Sequence, residues 1–128
     1  MKTLLGILTL TATILVSKSL AFSTTLQTPL VYDPDLRGYN CGVVNLDNNY
    51  TEMTISLCDD KGGLNTPVKC RDFNIVLGPG VKNGFGQLFS CDNCIALCKF
   101  TFQGSSDNVK AGILKDTYTS GILFIPAE

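Results

Sequence analysis

The sequence predicts an all-β fold: an antiparallel, immunoglobulin-like β-sandwich of about seven or eight strands, stapled by disulfides. Apolar and polar residues alternate with a period of two in several short segments, which is typical of strands with one face in water. Turn residues separate these segments about every 8–15 residues, as they do in sandwiches. A small barrel would have the same pattern and is the alternative.

Residues 1–21 are typical of a cleavable secretion signal. A basic start precedes an apolar run over 4–16, and the small residues Ser19 and Ala21 stand where a signal peptidase recognises its substrate. The run is shorter than the roughly 20 residues that cross a membrane as a helix. We therefore expect a secreted or periplasmic protein that begins at Phe22 and has no membrane span after signal cleavage.

The remaining chain is long enough for one domain with its own core. Residues 22–38 are rich in Ser, Thr, Pro and Asp, and we expect an extended N-terminal arm there. Within the arm, Leu30-Val31-Tyr32 is a candidate edge strand, because proline nearby suits an edge. The sandwich domain is then expected over 39–128.

Alternation places the strands of the domain in order. Tyr39, Cys41 and Val43 share one face of a strand over 38–46, and an Asp-Asn-Asn turn follows it. The next strand, over 51–58, alternates most regularly. Its apolar side comprises Met53, Ile55 and Leu57.

The later strands are shorter or less regular. A strand over 85–89 is weakened by Gly84 and Gly86, since glycine disfavours a strand interior. Further strands are predicted over 73–77, 95–102, 109–113 and 122–125. The expected core residues are Val43, Ile55, Leu57, Phe73, Ile75, Phe100, Phe102 and Ile113.

Several short motifs follow one another along the domain: Cys41-Gly-Val-Val-Asn45, Leu77-Gly-Pro79-Gly80, Cys98-Lys-Phe100 and Val109-Lys110-Ala111. With these motifs the chain resembles a group of small secreted bacterial β-sandwich proteins of uncharacterised function. A Cys-x-Val-x-Asn strand, a Pro-Gly turn and a Cys-Arg/Lys-Phe strand recur in that group, and Lys99 stands here where arginine is frequent. The resemblance implies a sandwich fold and an exported protein, and it implies no activity.

The six cysteines favour a disulfide framework, because their number is even and the chain is short and exported. They are Cys41, Cys58, Cys70, Cys91, Cys94 and Cys98. The apolar strand faces predict a bridge between Cys41 and Cys98, similar to the inter-sheet disulfide of immunoglobulin-like sandwiches. Cys58 would then bond Cys70, and Cys91 would bond Cys94 across a tight loop. The alternative joins Cys58 or Cys70 to the 91–94 loop.

The Cys-Asp-Asn-Cys motif at 91–94, followed by Cys98, also allows a redox site or a metal site. A redox-active dithiol usually lies at a helix N-terminus, whereas a strand is predicted after Cys94. A zinc site would need a fourth cysteine, because the chain has no histidine, and export favours oxidation of thiols. We therefore predict structural disulfides, with no metal and no cofactor.

Other catalytic chemistry lacks its usual residues. Without histidine, a serine or cysteine nucleophile has no customary base. Neither Asp33 with Asp35 nor Asp59 with Asp60 belongs to a calcium-binding loop pattern, and the segment 59–63 is more typical of a polar turn. We predict that the protein is not an enzyme and has no catalytic residues.

Charge argues against nucleic acid as a partner. Lys2 and Lys18 leave with the signal, so eight basic residues face eleven acidic ones in the exported chain, and no basic cluster is present. Asn49-Tyr50-Thr51 matches a glycosylation acceptor, whose use depends on the host.

The leading hypothesis is a secreted, non-enzymatic β-sandwich with a binding or structural role, whose partner is an extracellular protein or a surface polymer. An exposed loop such as 59–69 or 81–94 would carry recognition, as loops on rigid scaffolds often do. One alternative is a secreted inhibitor or effector that presents the disulfide-constrained region around 91–98. The other is a small exported thiol oxidoreductase that uses Cys91 and Cys94.

Overall fold

Nine β-strands and one short 3₁₀ turn make up the secondary structure of the residues that the computed structural model describes, which are 23–34, 36–60, 66–88, 94–118 and 121–128. The strands are β1 Ser23–Gln27, β2 Val31–Asp33, β3 Leu36–Asn45, β4 Thr51–Asp59, β5 Lys69–Leu77, β6 Lys82–Leu88, β7 Cys94–Gln103, β8 Val109–Thr117 and β9 Gly121–Pro126. The 3₁₀ turn is Ser106–Asn108. The predicted all-β fold is confirmed.

The strands form two antiparallel sheets. Sheet A has the order β1-β7-β4-β5, and β2 pairs with the other end of β7. Sheet B has the order β6-β3-β8-β9. The predicted arm, 22–38, contributes β1, β2 and the start of β3. The architecture is the predicted disulfide-stapled β-sandwich. Its additional strand is β1, whereas β2 corresponds to the candidate edge strand Leu30-Val31-Tyr32.

Apolar side chains from facing strands fill the space between the two sheets. Six of the predicted core residues are buried: Val43, Ile55, Leu57, Phe100, Phe102 and Ile113. Phe73 and Ile75 pack against this core and are only partly buried, because they belong to β5 at the edge of sheet A. Alternation therefore predicts which side chains face inward.

Contacts between edge strands close both sides of the sandwich. On one side, the Phe73 ring of β5 stacks on the Phe85 ring of β6, with the ring centroids 4.8 Å apart. On the other side, Gln27 and Glu128 exchange two backbone hydrogen bonds of 3.0 and 3.1 Å. Within the described strands, the outer faces of the sheets and the remaining free edges are therefore available for recognition.

Asn45 fixes the end of the sandwich where β3 leads into β4. Its buried amide nitrogen donates to the carbonyl oxygens of Asn49, Leu77 and Gly78, at 2.9, 3.0 and 3.2 Å. Its side-chain oxygen accepts a 2.9 Å hydrogen bond from the N–H of Asp47. The amide thus joins the turn that follows β3 to the end of β5 in sheet A. These hydrogen bonds explain why a polar residue occupies a core-facing position.

Two segments differ from their predicted structure. Asp59, expected in a polar turn, is the last residue of β4 and is buried, because it continues the inward-facing alternation of that strand. The segment expected to be weakened by glycine is a full strand, β6, and begins at Lys82. Its glycines are accommodated because the Asn40 side chain of β3 lies over them: a Cβ added at Gly84 would come within 2.6 Å of the Asn40 oxygen.

Candidate binding groove

The structure joins two of the predicted cysteine pairs. Cys41 of β3 and Cys98 of β7 form a disulfide between the sheets, with their Cα atoms 5.7 Å apart and both side chains fully buried. Cys58 and Cys70 lie directly opposite each other on β4 and β5 and are also bonded. Both bonds act within the scaffold, since one links the sheets and the other links neighbouring strands.

Cys94 is fully buried and disulfide-bonded. Its predicted partner, Cys91, lies outside the described residues, as do 61–65 and 89–93 from the two loops predicted to carry recognition. In the part of the chain that the structure describes, no cysteine is free. The described sulfur atoms therefore offer no exposed nucleophile.

Of the four candidate carboxylates, Asp59 and Asp60 are engaged in the scaffold, and the side chain of Asp33 lies outside the described part of the structure. Asp59 accepts a 2.9 Å hydrogen bond from the Tyr39 hydroxyl, and an Asp60 carboxylate oxygen accepts one of 2.6 Å from the N–H of Ile95. Asp35 lies outside the described residues. Over the described ranges there is no group of three or more His, Cys, Asp or Glu side chains that could hold a metal ion, and no helix long and apolar enough to cross a membrane.

The outer face of sheet B carries glycines at neighbouring positions on three adjacent strands. Gly42 of the central strand β3 lies opposite Gly84 of β6 on one side and Gly112 of β8 on the other. The Asn40 side chain covers Gly84, and the Phe124 ring lies so close to Gly112 that a Cβ added there would come within 2.4 Å of it. A Cβ added at Gly42 would meet no heavy atom within 4 Å. Gly42 therefore forms the open floor of a hollow.

Two depressions adjoin along this face, and we call them together the glycine groove. The first has a volume of about 510 Å³ and surrounds Gly42, with Phe124 and Val44 among its walls. The second has a volume of about 450 Å³ and is bordered by Leu88 and Ile122. Asn40 and Leu114 line both depressions. Each volume lies in the range of small-ligand pockets, roughly 300–1,000 Å³.

The glycine groove is mainly apolar, with an amide at its centre. Asn40 is half-buried at the junction of the two depressions, and no described residue forms a hydrogen bond with its side chain. The amide can therefore donate to and accept from a bound molecule. Leu114 of β8 and Phe124 of β9 are directly opposite neighbours on the two strands and supply an apolar wall next to the Asn40 amide.

Charge differs between the ends of the groove. Lys82 and Lys110 flank Val44 on the neighbouring strands, so their Cα atoms lie about 10 Å apart, or two strand spacings. At the other end, Asp116 lies 3.9 Å from Arg37, so that end carries both signs. The chain as a whole has a net charge of −1, so a pair of lysines beside an apolar hollow departs from its average surface.

Sequence reasoning missed this face because it treated glycines only as residues that weaken strands or form turns. The signal available in the sequence was their parity, meaning the face of the strand on which each glycine lies. Gly42 has the outward parity on β3, opposite to the buried Cys41 and Val43, and Gly84 and Gly112 have the outward parity on their own strands. Which strands are neighbours, and hence that the three glycines meet, depends on a topology that one sequence does not specify.

No protein-family model matches the chain, and neither does any curated protein sequence. Among solved structures, the chain is similar to the crystal structure of Thermotoga maritima 1070, with a TM-score of 0.50 and 8% sequence identity. The match covers 81% of this chain and 91% of that chain. At this identity the likeness concerns the fold alone, so a role for the glycine groove has to be argued from the residues of this chain.

Proposed function

We propose that this protein is an exported, non-enzymatic binding protein that holds a segment of a partner polypeptide in the glycine groove. The observation that carries the proposal is the open hollow at Gly42, where strand geometry leaves space for a side chain and the protein supplies none. The signal-like residues 1–21 and the disulfide-bonded cysteines support export, because disulfides persist in oxidising compartments.

The chemistry of the groove favours an extended, largely apolar peptide with an acidic residue at one end. An apolar side chain would enter the hollow beside Phe124, and the Asn40 amide would bond the peptide backbone, which offers both a donor and an acceptor at each residue. Lys82 and Lys110 would attract a carboxylate next to that side chain. A glycan fits less well, since it needs several polar partners for its hydroxyl groups and the hollow offers chiefly apolar walls.

The two alternative hypotheses have less support. A thiol oxidoreductase needs an accessible sulfur, and Cys94 is fully buried. An effector that presents the region around 91–98 would act through residues that lie largely in buried strand β7 or outside the described ranges. Neither hypothesis uses the glycine groove.

A displayed library of random peptides tests the proposal. We expect enriched peptides to share an apolar residue next to an acidic one and to bind the exported protein with micromolar affinity. Gly42→Val should abolish this binding while preserving the fold, because the added side chain occupies the floor of the hollow and valine suits a strand. The matched control is Ser56→Val on the outer face of central strand β4 in sheet A, which should bind like the wild type.

The lysines provide a second measurement. Lys82→Gln combined with Lys110→Gln should weaken binding of the same peptides about tenfold and reduce its dependence on salt, as expected for loss of attraction to a carboxylate. Equal binding by wild type and Gly42→Val would contradict the proposal, because the peptides would then bind elsewhere. The absence of any enriched peptide would contradict it as well.

A further inference from the structure

Strand β9 is an open edge of sheet B with three consecutive exposed apolar residues. Ile122, Leu123 and Phe124 have 72%, 53% and 52% of their surfaces exposed. No described strand pairs with the side of β9 that faces away from β8. Proteins usually protect such an edge with charges, bulges or proline, because an open strand pairs readily with another chain.

Two of the other described edges carry charged side chains, whereas β9 carries none. Edge strand β5 contains Lys69, Arg71 and Asp72. Edge strand β6 contains two glycines and a lysine, and β1 and β2 have only five and three residues. By contrast, the sequence has no charged residue from 117 to 127. Edge strand β1 is also uncharged, but its one apolar residue, Leu26, is partly buried, so β9 is the uncharged described edge that exposes large apolar side chains.

Backbone hydrogen bonds determine which groups on β9 are free to pair. The N–H of Ala127 donates inward to the carbonyl of Ala111 in β8, whereas Glu128 directs both its N–H and its carbonyl outward to Gln27. Backbone groups alternate in direction along a strand. Ile122 and Phe124 therefore direct their N–H and carbonyl groups outward, away from β8. Pro126 has the same parity, so its missing N–H falls on the outer edge, where proline is tolerated.

We propose that β9 pairs antiparallel with β9 of a second copy of this chain, about a two-fold axis at Leu123. In this register Ile122 of one copy lies opposite Phe124 of the other, and every outward N–H and carbonyl of these two residues finds a partner. Aromatic and β-branched side chains opposite each other stabilise such a pair. A two-fold contact of this kind is closed, so it yields a dimer.

Charge and area both fit a second copy. Two copies with the same negative net charge can meet at the neutral edge without opposing like charges. A single short strand edge with three apolar side chains is a smaller contact than a standard interface of roughly 800 Å² per partner, so we expect a weak, micromolar dimer. The dimer goes beyond the proposed function and does not depend on it. Ile122 and Phe124 also line the groove, but β9 would pair through its backbone edge, and the floor of the hollow at Gly42 lies on β3, two strands away.

Sedimentation of the exported protein over a range of concentrations tests this pairing. We expect a reversible monomer–dimer equilibrium. Ile122→Pro removes an outward N–H from each copy and leaves pairing with β8 intact, so the dimer should weaken about tenfold or more. The control Ile122→Val keeps the N–H and should dimerise like the wild type. Gly42→Val, which blocks the groove, should also dimerise normally.

A cysteine variant tests the register and does not rely on a folded proline variant. Leu123→Cys should form a disulfide between copies under oxidised glutathione, because Cα atoms of a directly opposed pair lie within bonding reach. Tyr118→Cys, equally exposed and outside the strand, should stay monomeric on a non-reducing gel. A wild type that is monomeric at high micromolar concentration, open-ended oligomers, or cross-linking at 118 but not at 123 would each overturn the proposal.

Discussion

The hydroxyl of Tyr39 donates a 2.9 Å hydrogen bond to the carboxylate of Asp59 across the space between the two sheets. Tyr39 belongs to β3 of sheet B and Asp59 to β4 of sheet A, and both residues are buried. Burial, followed by the negative charge of Asp59 and the hydrogen bond, raises the pKa of Tyr39 far above its usual value. The contact therefore links the sheets only while the tyrosine is protonated.

Alkaline pH should destabilise the protein through this contact. Because the pKa of Tyr39 is raised in the folded state, its contribution is complete below the unfolded pKa of about 10 and is lost as the pH rises above it. We expect the free energy of unfolding to fall by up to about 1.4 kcal/mol per pH unit above pH 10. Urea unfolding of Tyr39→Phe should lack this fall, whereas Tyr50→Phe, at an exposed position, should retain it. Parallel pH curves for both variants would contradict the assignment.

Asn45→Ala should destabilise the fold by about 2–3 kcal/mol, because it removes the donor to the carbonyls of Asn49, Leu77 and Gly78 from a buried site. Asn48→Ala, at an exposed position in the same turn, is the matched control and should cost less than about 1 kcal/mol. Urea unfolding measures both. Similar losses for the two variants would indicate that the turn, rather than the buried amide, is responsible.

Export predicts a defined N-terminus. The protein recovered from the medium or periplasm of its host should begin at Phe22, because Ser19 and Ala21 stand where a signal peptidase recognises its substrate. Intact-mass analysis and N-terminal peptide mapping measure this directly. Recovery of the protein mainly in the cytosol with Met1 retained would contradict export, and with it the oxidising environment that the disulfides require.

Sequence alone predicts the fold well where alternation is strong. Ile55, Leu57, Phe100 and Phe102 face the core as expected, because a period of two along a strand directly specifies which side is buried. Asp59 was misassigned because a charged residue followed by Asp-Lys-Gly-Gly has the composition of a turn. Its burial depends on Tyr39, a partner twenty positions earlier on the other sheet, which local patterns do not specify.

The candidate site was less predictable than the fold. The glycine groove exists because Gly42, Gly84 and Gly112 meet across three strands that are far apart in the chain. Strand order is a property of the whole topology, so glycines with outward parity could be found in the sequence but not placed together. The same limit applies to the β9 edge: an uncharged apolar strand is visible in the sequence, whereas its position at a sheet edge is not.

The two described disulfides should differ in their contributions to stability. Cys41 and Cys98 are separated by 57 residues and Cys58 and Cys70 by 12. In the chain-entropy model the longer loop restricts the unfolded chain more, which makes the inter-sheet bond worth about 1 kcal/mol more than the other. The inter-sheet pair is also fully buried, so its loss leaves a cavity in the core as well.

We therefore expect Cys41→Ala combined with Cys98→Ala to lower the free energy of unfolding by about 2–5 kcal/mol, the usual loss for a native disulfide. Cys58→Ala combined with Cys70→Ala is the matched control and should lose less, because it opens a shorter loop between strands that remain hydrogen-bonded. Urea unfolding under non-reducing conditions, with peptide mapping to verify the remaining bonds, measures both variants. A larger loss for the second pair would mean that the link between β4 and β5, rather than the one between the sheets, limits the stability of the sandwich.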